Sequence, residues 1–466
     1  MNTASVAMPV SRKVPVDPAT RSRGPSVQEI FAGDTNPPPA CLLIDSPATN
    51  LGLDDVSIDR YLTKEWHERE VERVWRRTWQ MACRVEDIPQ VGDHVVYDIV
   101  NDSVIVTRIS PTEIRGYINS CLHRGTMLRT EGGNVRHLKC PVHGMSWALD
   151  GSLSGVPCAW DFPQIERAKF CLPQVQVATW GGFVFINFDA NCESLESFLE
   201  VLPEHFEPFG MEDRYVAVHG AKIMPCNWKL AQEAFMEGYH IGPTHPQSVE
   251  YTADTNTQYD VFGRHVSRFI MPEGVASPAL GDYPQQKIVD AMRRDIAFYR
   301  KHPITVGEGE TARNTMAAHA RERYSAATGK DFSKLSDSEA LDLIQYTLFP
   351  NLGPWAGMAT PLVYRFRPHG DNPHESIMEI MMLFAKNADG SHPAPAKVSW
   401  IGIEDSWSMV PNIGSAAPVA DQDTDNLKRI QRGLRTARKP GVTFSNYQES
   451  RIRHFHKTLD AYMARP

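Results

Sequence analysis

The chain has 466 residues, 42% hydrophobic and 22% charged, which is the make-up of a globular protein of two or three domains. Lys and Arg number 48 against 56 Asp and Glu, a net charge of −8 with no basic block, which argues against a grip on nucleic acid or an anionic membrane. No apolar run reaches the roughly 18–20 residues of a spanning helix, residues 1–13 lack the apolar core of a signal peptide, and eight cysteines are too few for a disulfide scaffold. The expectation is a cytoplasmic protein in which some cysteines serve metal ligation.

Residues 1–50 hold eight of the 34 prolines and a single aromatic, Phe31, and read as a flexible Pro-rich tail. Residues 51–80 follow as a docking-helix region. Within it, 57–80 places Trp66, Val71, Val74 and Trp75 at helical spacing with charges between them. From 81 to 190 the pattern is that of a small all-β domain. His94–Val100 and Ser103–Ile109 are β-branched runs around a two-residue turn at Asn101-Asp102. A second hairpin signal lies at Asp150-Gly151, and Gly182–Asp189 is a further strand. Residues 191–466 read as α+β. Helix is expected over 194–210 and 227–241, strand over 214–224, and a mixed, charged stretch over 255–345, helical in its second half. Two strands in 361–386 and one at 397–403 precede helices at 421–438 and 445–463. Phe235, Phe262 and Met358 are candidates for a pocket wall and equally for core.

Cys121-Leu-His123 is followed, after 16 residues, by Cys140-Pro-Val-His143. Two thiolates and two imidazoles suit either tetrahedral zinc or a two-iron, two-sulfur cluster. Zinc fingers usually pair like with like along the chain, whereas each loop here offers one Cys and one His, which favours the cluster. Cys41, Cys83, Cys158, Cys171, Cys192 and Cys226 have no such partners and read as small buried residues.

With CLHRG at 121–125, CPVHG at 140–144 and WGGFVFINFD at 180–189, the sequence resembles the Rieske family. Val142 and Met145 stand where the oxygenases of that family commonly carry aromatics, with Trp147 two positions on.

A second constellation lies in NWKLAQEAFMEGYHIGPTH at 227–245. On an unbroken helix His240 and His245 would diverge by about 140°, but Gly242 and Pro243 should end the helix between them and let both imidazoles meet one metal. Glu233, Glu237 and His240 fall within about 60° of arc and form a polar stripe. In ADQDTDNLKRIQRGL at 420–434, Leu427, Ile430 and Leu434 form the buried stripe. Asp423 heads that stripe while Asp421 and Asp425 face out. An inward Asp is costly unless paired or metal-bound; the alternative role is a helix N-cap.

A Rieske segment followed by NWK…E…E-x-Y-H-x4-H and a late QD-x-x-N helix resembles the large (alpha) subunit of the Rieske non-heme iron aromatic ring-hydroxylating oxygenases. The resemblance implies an N-terminal all-β Rieske [2Fe-2S] domain over 81–190 and a C-terminal helix-grip (START-like) antiparallel-sheet domain with helices over 191–466. It implies that Cys121, His123, Cys140 and His143 hold the cluster and that His240, His245 and Asp423 hold a mononuclear non-heme Fe(II). Glu237 would bridge His240 to a cluster histidine of an adjacent subunit. Ring-dihydroxylating members mostly use Asp there and some quaternary-amine oxygenases use Glu; Ala234 stands where many dihydroxylating members have Asn.

The implied partners are a ferredoxin and/or flavin reductase delivering electrons from NAD(P)H, and a homotrimer with or without a small β subunit. The implied reaction is hydroxylation of an aromatic or cyclic substrate, with cis-dihydroxylation ahead of monooxygenation or oxidative demethylation. The one weak dinucleotide pattern, Gly307–Ala312, is acidic and follows no strand, so the chain is not expected to oxidise NADH itself. A pure electron-transfer Rieske protein would leave His240, His245 and Asp423 without a purpose.

Overall fold

The computed structural model describes residues 24–48, 51–301 and 303–465. Two large sheets dominate the chain. The first has seven antiparallel strands in the order Gln80–Arg84, Phe183–Asn187, Gln174–Trp180, Ile114–Ile118, Asp102–Arg108, Asp93–Ile99 and Gly133–Asn134. Beside it, Leu138–Lys139, Ser146–Trp147 and Leu153–Gly155 make a small three-stranded sheet. The expected hairpin is present, but its register pairs Ile99 with Asp102, so the turn is Val100-Asn101, one residue earlier than expected. Val100 takes the left-handed conformation there, at φ 55°. In the second hairpin, Gly151 takes φ 85°, the conformation that favours glycine in a tight turn.

The second sheet has eight strands, in the order Gln258–Phe262, Val266–Met271, Leu343–Leu348, Leu352–Ala356, Leu362–Pro368, Ser376–Ala385, Arg214–Met224 and Ser399–Ile401. Only the last pairing is parallel. Its first four strands lie in or just after the stretch that reads as mixed and charged. They show no polar–apolar alternation because both faces are covered: all six residues of Val266–Met271 and all five of Leu352–Ala356 are buried. Polar residues inside them are internally paired. Arg268 and Asp260, both fully buried, meet at 2.7 Å. Helices in that stretch are Gln285–Asp295, in its mixed first half, and Ala312–Thr328 and Asp337–Leu341 in the half that reads as helical.

One apolar core joins the two sheets, with Trp75, Val104 and Val184 in the same cluster as Trp228, Met378 and Leu427. Arg365 crosses the junction, with its guanidinium forked onto Glu379 (2.6 and 2.7 Å) and donating to the Met81 and Ala82 carbonyls (2.9 and 3.0 Å).

Three further expectations need correction. Cys41, Cys83 and Cys226 are buried as expected, but Cys158 and Cys171 are exposed and Cys192 is half-buried. The 57–80 segment is not one helix. Thr63 is extended and caps Lys64–Glu70 through its hydroxyl, a π-helical turn Val71–Trp75 follows, and Gln80 already belongs to a strand. Nor are residues 24–48 a loose tail. Val27, Phe31, Cys41 and Leu42 are buried against the second sheet, and Arg268 donates to the Cys41 and Ile44 carbonyls at 2.6 and 2.8 Å. Prolines in this segment shape a docked strap, because its few apolar side chains fall where the sheet offers a matching face. The rest of the expected tail, residues 1–23 and 49–50, lies outside the described residues.

Candidate metal centres

The first centre sits on two loops, one following strand Ile114–Ile118 of the large sheet and the other joining Leu138–Lys139 to Ser146–Trp147 of the small one. The Cys121 and Cys140 side chains are buried and near each other, and the rings of His123 and His143 lie 4.6 Å apart, edge to face. Backbone amides of His123 and Arg124 point at the Cys121 sulfur, and those of Val142 and His143 at Cys140. Burial opposes ionisation of the Cys140 thiol, but these amides hold it below its ordinary value, as a metal-ligating thiolate needs. His123 Nδ1 is buried and has no hydrogen-bond partner, a nitrogen placed to ligate. Two sulfurs on one side and two imidazoles on the other fit a [2Fe-2S] cluster held by Cys2His2. The unusual Met145 and Trp147 are both buried beneath the loops, Trp147 donating to the Phe170 carbonyl at 2.9 Å, while Val142 at the tip is 58% exposed.

The second centre begins with helix Trp228–Glu233, which is pinned from the 57–80 segment. Glu70 accepts from Lys229 Nζ (2.6 Å), Trp228 Nε1 (3.0 Å) and Trp66 Nε1 (2.8 Å). The helix stops at Glu233, so the expected polar stripe does not continue to His240. Glu233 turns away to the Tyr61 hydroxyl and His456, each 2.9 Å distant, and burial pushes its carboxyl up to about 8. The chain then passes Gly238, where a Cβ would stand 2.8 Å from Met271 Cε. It forms one helical turn, Ile241–Thr244, with His240 at its start and His245 at its end. Gly242 and Pro243 lie inside this turn, where Thr244 N–H donates to the His240 carbonyl at 2.9 Å and His245 N–H to that of Ile241 at 2.7 Å, so the break expected at them comes instead after Glu233; the two rings stand 5.3 Å apart.

Asp423 comes from the long helix Ala416–Thr436. The helix begins at Ser415, well before Asp423, so the N-cap alternative does not apply. Asp423 is buried, Asp425 is exposed and Asp421 caps the Ser406–Trp407 turn. Of the expected stripe, Leu427 is fully buried, but Ile430 is 44% exposed and the interior position is taken by Gln431. Asp423 Oδ1 lies 2.8 Å from His245 Nε2 and 3.4 Å from His240 Nε2. One ligand atom from each residue lies within 4.8 Å of the other two, the one such group among the described residues.

The far sides of both rings are occupied. His240 Nδ1 donates to Glu237 Oε1 at 2.6 Å, and His245 Nδ1 contacts Gln422 Oε1 at 2.7 Å. Burial would lower the His240 imidazole, yet the Asp423 and Glu237 carboxylates push it up to about 10. Burial would raise Asp423, yet the two imidazoles hold it below the usual carboxylate range. A pocket that stabilises positive charge this way, with two Nε2 atoms and a carboxylate converging, fits a two-His, one-carboxylate iron site.

Sequence reasoning did not single out Gln422, Gln247 or Tyr364. Gln422 stands beside Asp423 in the late QD-x-x-N pattern, and that adjacency was the available signal. Tyr364 belongs to an aromatic wall with Phe235 and Phe366 (centroids 4.8 Å from Phe235 to Tyr364, 5.6 Å to Phe366). Burial, then the charge of Asp423, push its phenol well up.

Residues 210–465 match the family model for the ring hydroxylating alpha subunit (catalytic domain), and residues 78–166 match the Rieske [2Fe-2S] domain. The chain belongs to the ring hydroxylating alpha subunit family. Among its relatives, the glycine betaine monooxygenase oxygenase subunit of Pseudomonas aeruginosa is 32% identical over 190 residues, 40% of this chain and 44% of that protein. The biphenyl 2,3-dioxygenase subunit alpha of Rhodococcus jostii is 33% identical over 193 residues, 40% of this chain and 42% of that one. The chain thus spans under half the length of the curated relatives it matches. Among solved structures, a quaternary ammonium Rieske monooxygenase superposes with TM-score 0.63 at 17% identity, covering 90% of this chain and 100% of the other. Naphthalene 1,2-dioxygenase from Rhodococcus sp. superposes with TM-score 0.59 at 21% identity, covering 88% and 94%. These likenesses establish the two-domain fold.

Proposed function

We propose that this chain is the terminal oxygenase component of a multicomponent Rieske oxygenase. In this reading residues 81–190 carry the cluster on Cys121, His123, Cys140 and His143, and residues 191–466 carry a mononuclear iron on His240, His245 and Asp423. The observation that carries the reading is the convergence of two histidine Nε2 atoms and one buried carboxylate. When bound, the cluster supplies one-electron transfer and the iron supplies the site of dioxygen reduction.

The chain's own residues prepare that chemistry. Glu237 holds a proton on His240 Nδ1 and so keeps Nε2 for the metal. Asp423 and His245, each about 5% exposed, shield the site from water, while His240 at 25% and Tyr239 at 58% mark the side that opens to the surface. That opening supports Glu237 as the contact to a cluster-bearing face of a second copy in a homotrimer. Phe235, Tyr364 and Phe366 supply an apolar wall for an aromatic or cyclic substrate. Electrons come from NAD(P)H through a ferredoxin and/or flavin reductase, and cis-dihydroxylation is the leading reaction. Glu237, in place of Asp, favours a second reading as a monooxygenase or oxidative demethylase. The compartment is the cytoplasm; among the described residues no helix is long and apolar enough to cross a membrane.

The test is product mass under ¹⁸O₂, with NADH, a ferredoxin and reductase, and a panel of aromatic acids, fused aromatics, steroids and methylammonium compounds. Two labelled atoms in one product are expected. One labelled atom, or formaldehyde release, selects the second reading. A folded chain that takes up no iron at the triad overturns both.

A further inference from the structure

The two histidines of the triad are braced differently. His240 is backed by a carboxylate three residues before it in its own loop. His245 is backed by a neutral amide from another element, Gln422 of helix Ala416–Thr436, at 2.7 Å. Gln422 Oε1 also accepts from Gln247 Nε2 at 2.9 Å, while Gln422 Nε2 faces Gln247 Oε1 at 3.4 Å. The two amides therefore form a reciprocal pair. Gln247 Nε2 donates to the same Oε1 that stands 2.7 Å from His245 Nδ1, so the reciprocal pair turns the oxygen and not the NH2 group to the ring. Asn426, one helical turn further, donates to Thr244 Oγ1 at 3.3 Å, so the same helix face grips the His240–His245 turn at a second point.

We propose that Gln422 is a positioning residue of the iron site: its Oε1 fixes the His245 proton on Nδ1 and turns Nε2 toward Asp423 and the metal. This inference rests on the triad reading above. Its physical content is a tautomer and a ring orientation. An imidazole ligates through the nitrogen that carries no proton, and the partner of the other nitrogen decides which one that is. Asp423 and Gln422 are adjacent, so one helical segment supplies both a ligand and the brace for its neighbour. Any slide of this helix would move the two together. A neutral brace also adds no second negative charge behind His245, in contrast to Glu237 behind His240. The two imidazoles therefore differ as donors.

The experiment uses the full chain with its cluster in place and reads Fe²⁺ affinity by chelator competition, with Co²⁺ as a second probe whose visible spectrum reports ligand geometry. Gln422→Leu is expected to weaken Fe²⁺ binding about 10–100-fold, the usual loss for such a partner, and to alter the Co²⁺ spectrum. Melting temperature and cluster absorption should stay at parental values. Gln422→Glu, which keeps an acceptor oxygen, should retain most of the affinity. Parental affinity in a folded Gln422→Leu chain, or equal losses in both variants, would overturn the proposal. Should Gln422→Leu not fold, Gln247→Leu at its half-buried site releases the amide without touching helix packing. A smaller loss and a changed Co²⁺ spectrum are then expected, and parental values for both would overturn the role. A parent chain that binds neither ion would instead overturn the triad reading itself.

Discussion

The two candidate centres are built on opposite principles. The cluster ligands come in pairs from two short loops, Cys121 with His123 and Cys140 with His143, and the tip is open, with Val142 58% exposed. The triad is interior and assembled from distant parts: His245 meets Asp423 across 178 positions of sequence, and Gln422 across 177. The first centre depends on local backbone, with amides of the loops themselves aimed at the sulfurs. The second depends on how one helix packs against one turn. Damage to packing in the second domain should therefore reach the iron site and leave the cluster intact.

The largest effects come from removing ligands. Asp423→Ala should empty the mononuclear site and abolish turnover while the Rieske absorption and EPR signals persist. Cys140→Ser should do the reverse, losing the cluster spectrum while the triad still takes up Fe²⁺. Metal analysis beside the spectrum reads both. If either substitution removed both metals, the centres would not be independent. Loss of neither in Asp423→Ala would mean another carboxylate completes the site. Glu237→Gln comes next. It should keep both metals, since an amide oxygen can still accept from His240 Nδ1, and lose most turnover, because the charge and second acceptor oxygen that the proposed contact to the neighbouring copy uses are gone. Near-normal coupled turnover would remove Glu237 from the path between centres.

The same contrast explains what the sequence disclosed. The Cys and His spacing was legible because all four cluster ligands sit within one local unit. That His240 and His245 meet was legible, but not how: Gly242 and Pro243 lie inside the helical turn Ile241–Thr244, and the break comes earlier, after Glu233. Glu233 was misleading: the helix ends at that residue, a boundary periodicity cannot see, and its partners Tyr61 and His456 come from far away. The strands Gln258–Phe262 and Val266–Met271 were hidden because Asp260 and Arg268 are buried as a pair, so charge inside them imitated a solvated stretch. Residues 24–48 were hidden for a related reason. A few apolar side chains spread among prolines carry no period, and only the sheet they land on shows that they are core.

The last and smallest effect tests helix Ala416–Thr436 directly. Sequence spacing puts Leu427 and Ile430 on the same buried stripe as Asp423; the structure buries Leu427 completely and leaves Ile430 44% exposed. Leu427→Ala should cost about 2–5 kcal/mol of stability. It should also weaken Fe²⁺ binding, since Leu427 lies one turn beyond Asp423 on the same face, with cluster content unchanged. Ile430→Ser should fall within about 0.5 kcal/mol of the parent, as exposed positions do, and leave iron binding alone. Chemical denaturation and chelator competition on the two variants give the comparison. Equal costs would mean the helix is rotated toward Ile430. That rotation would carry Asp423 away from His245 and Gln422 with it, so a surface substitution remote from any ligand reports on the geometry of the triad.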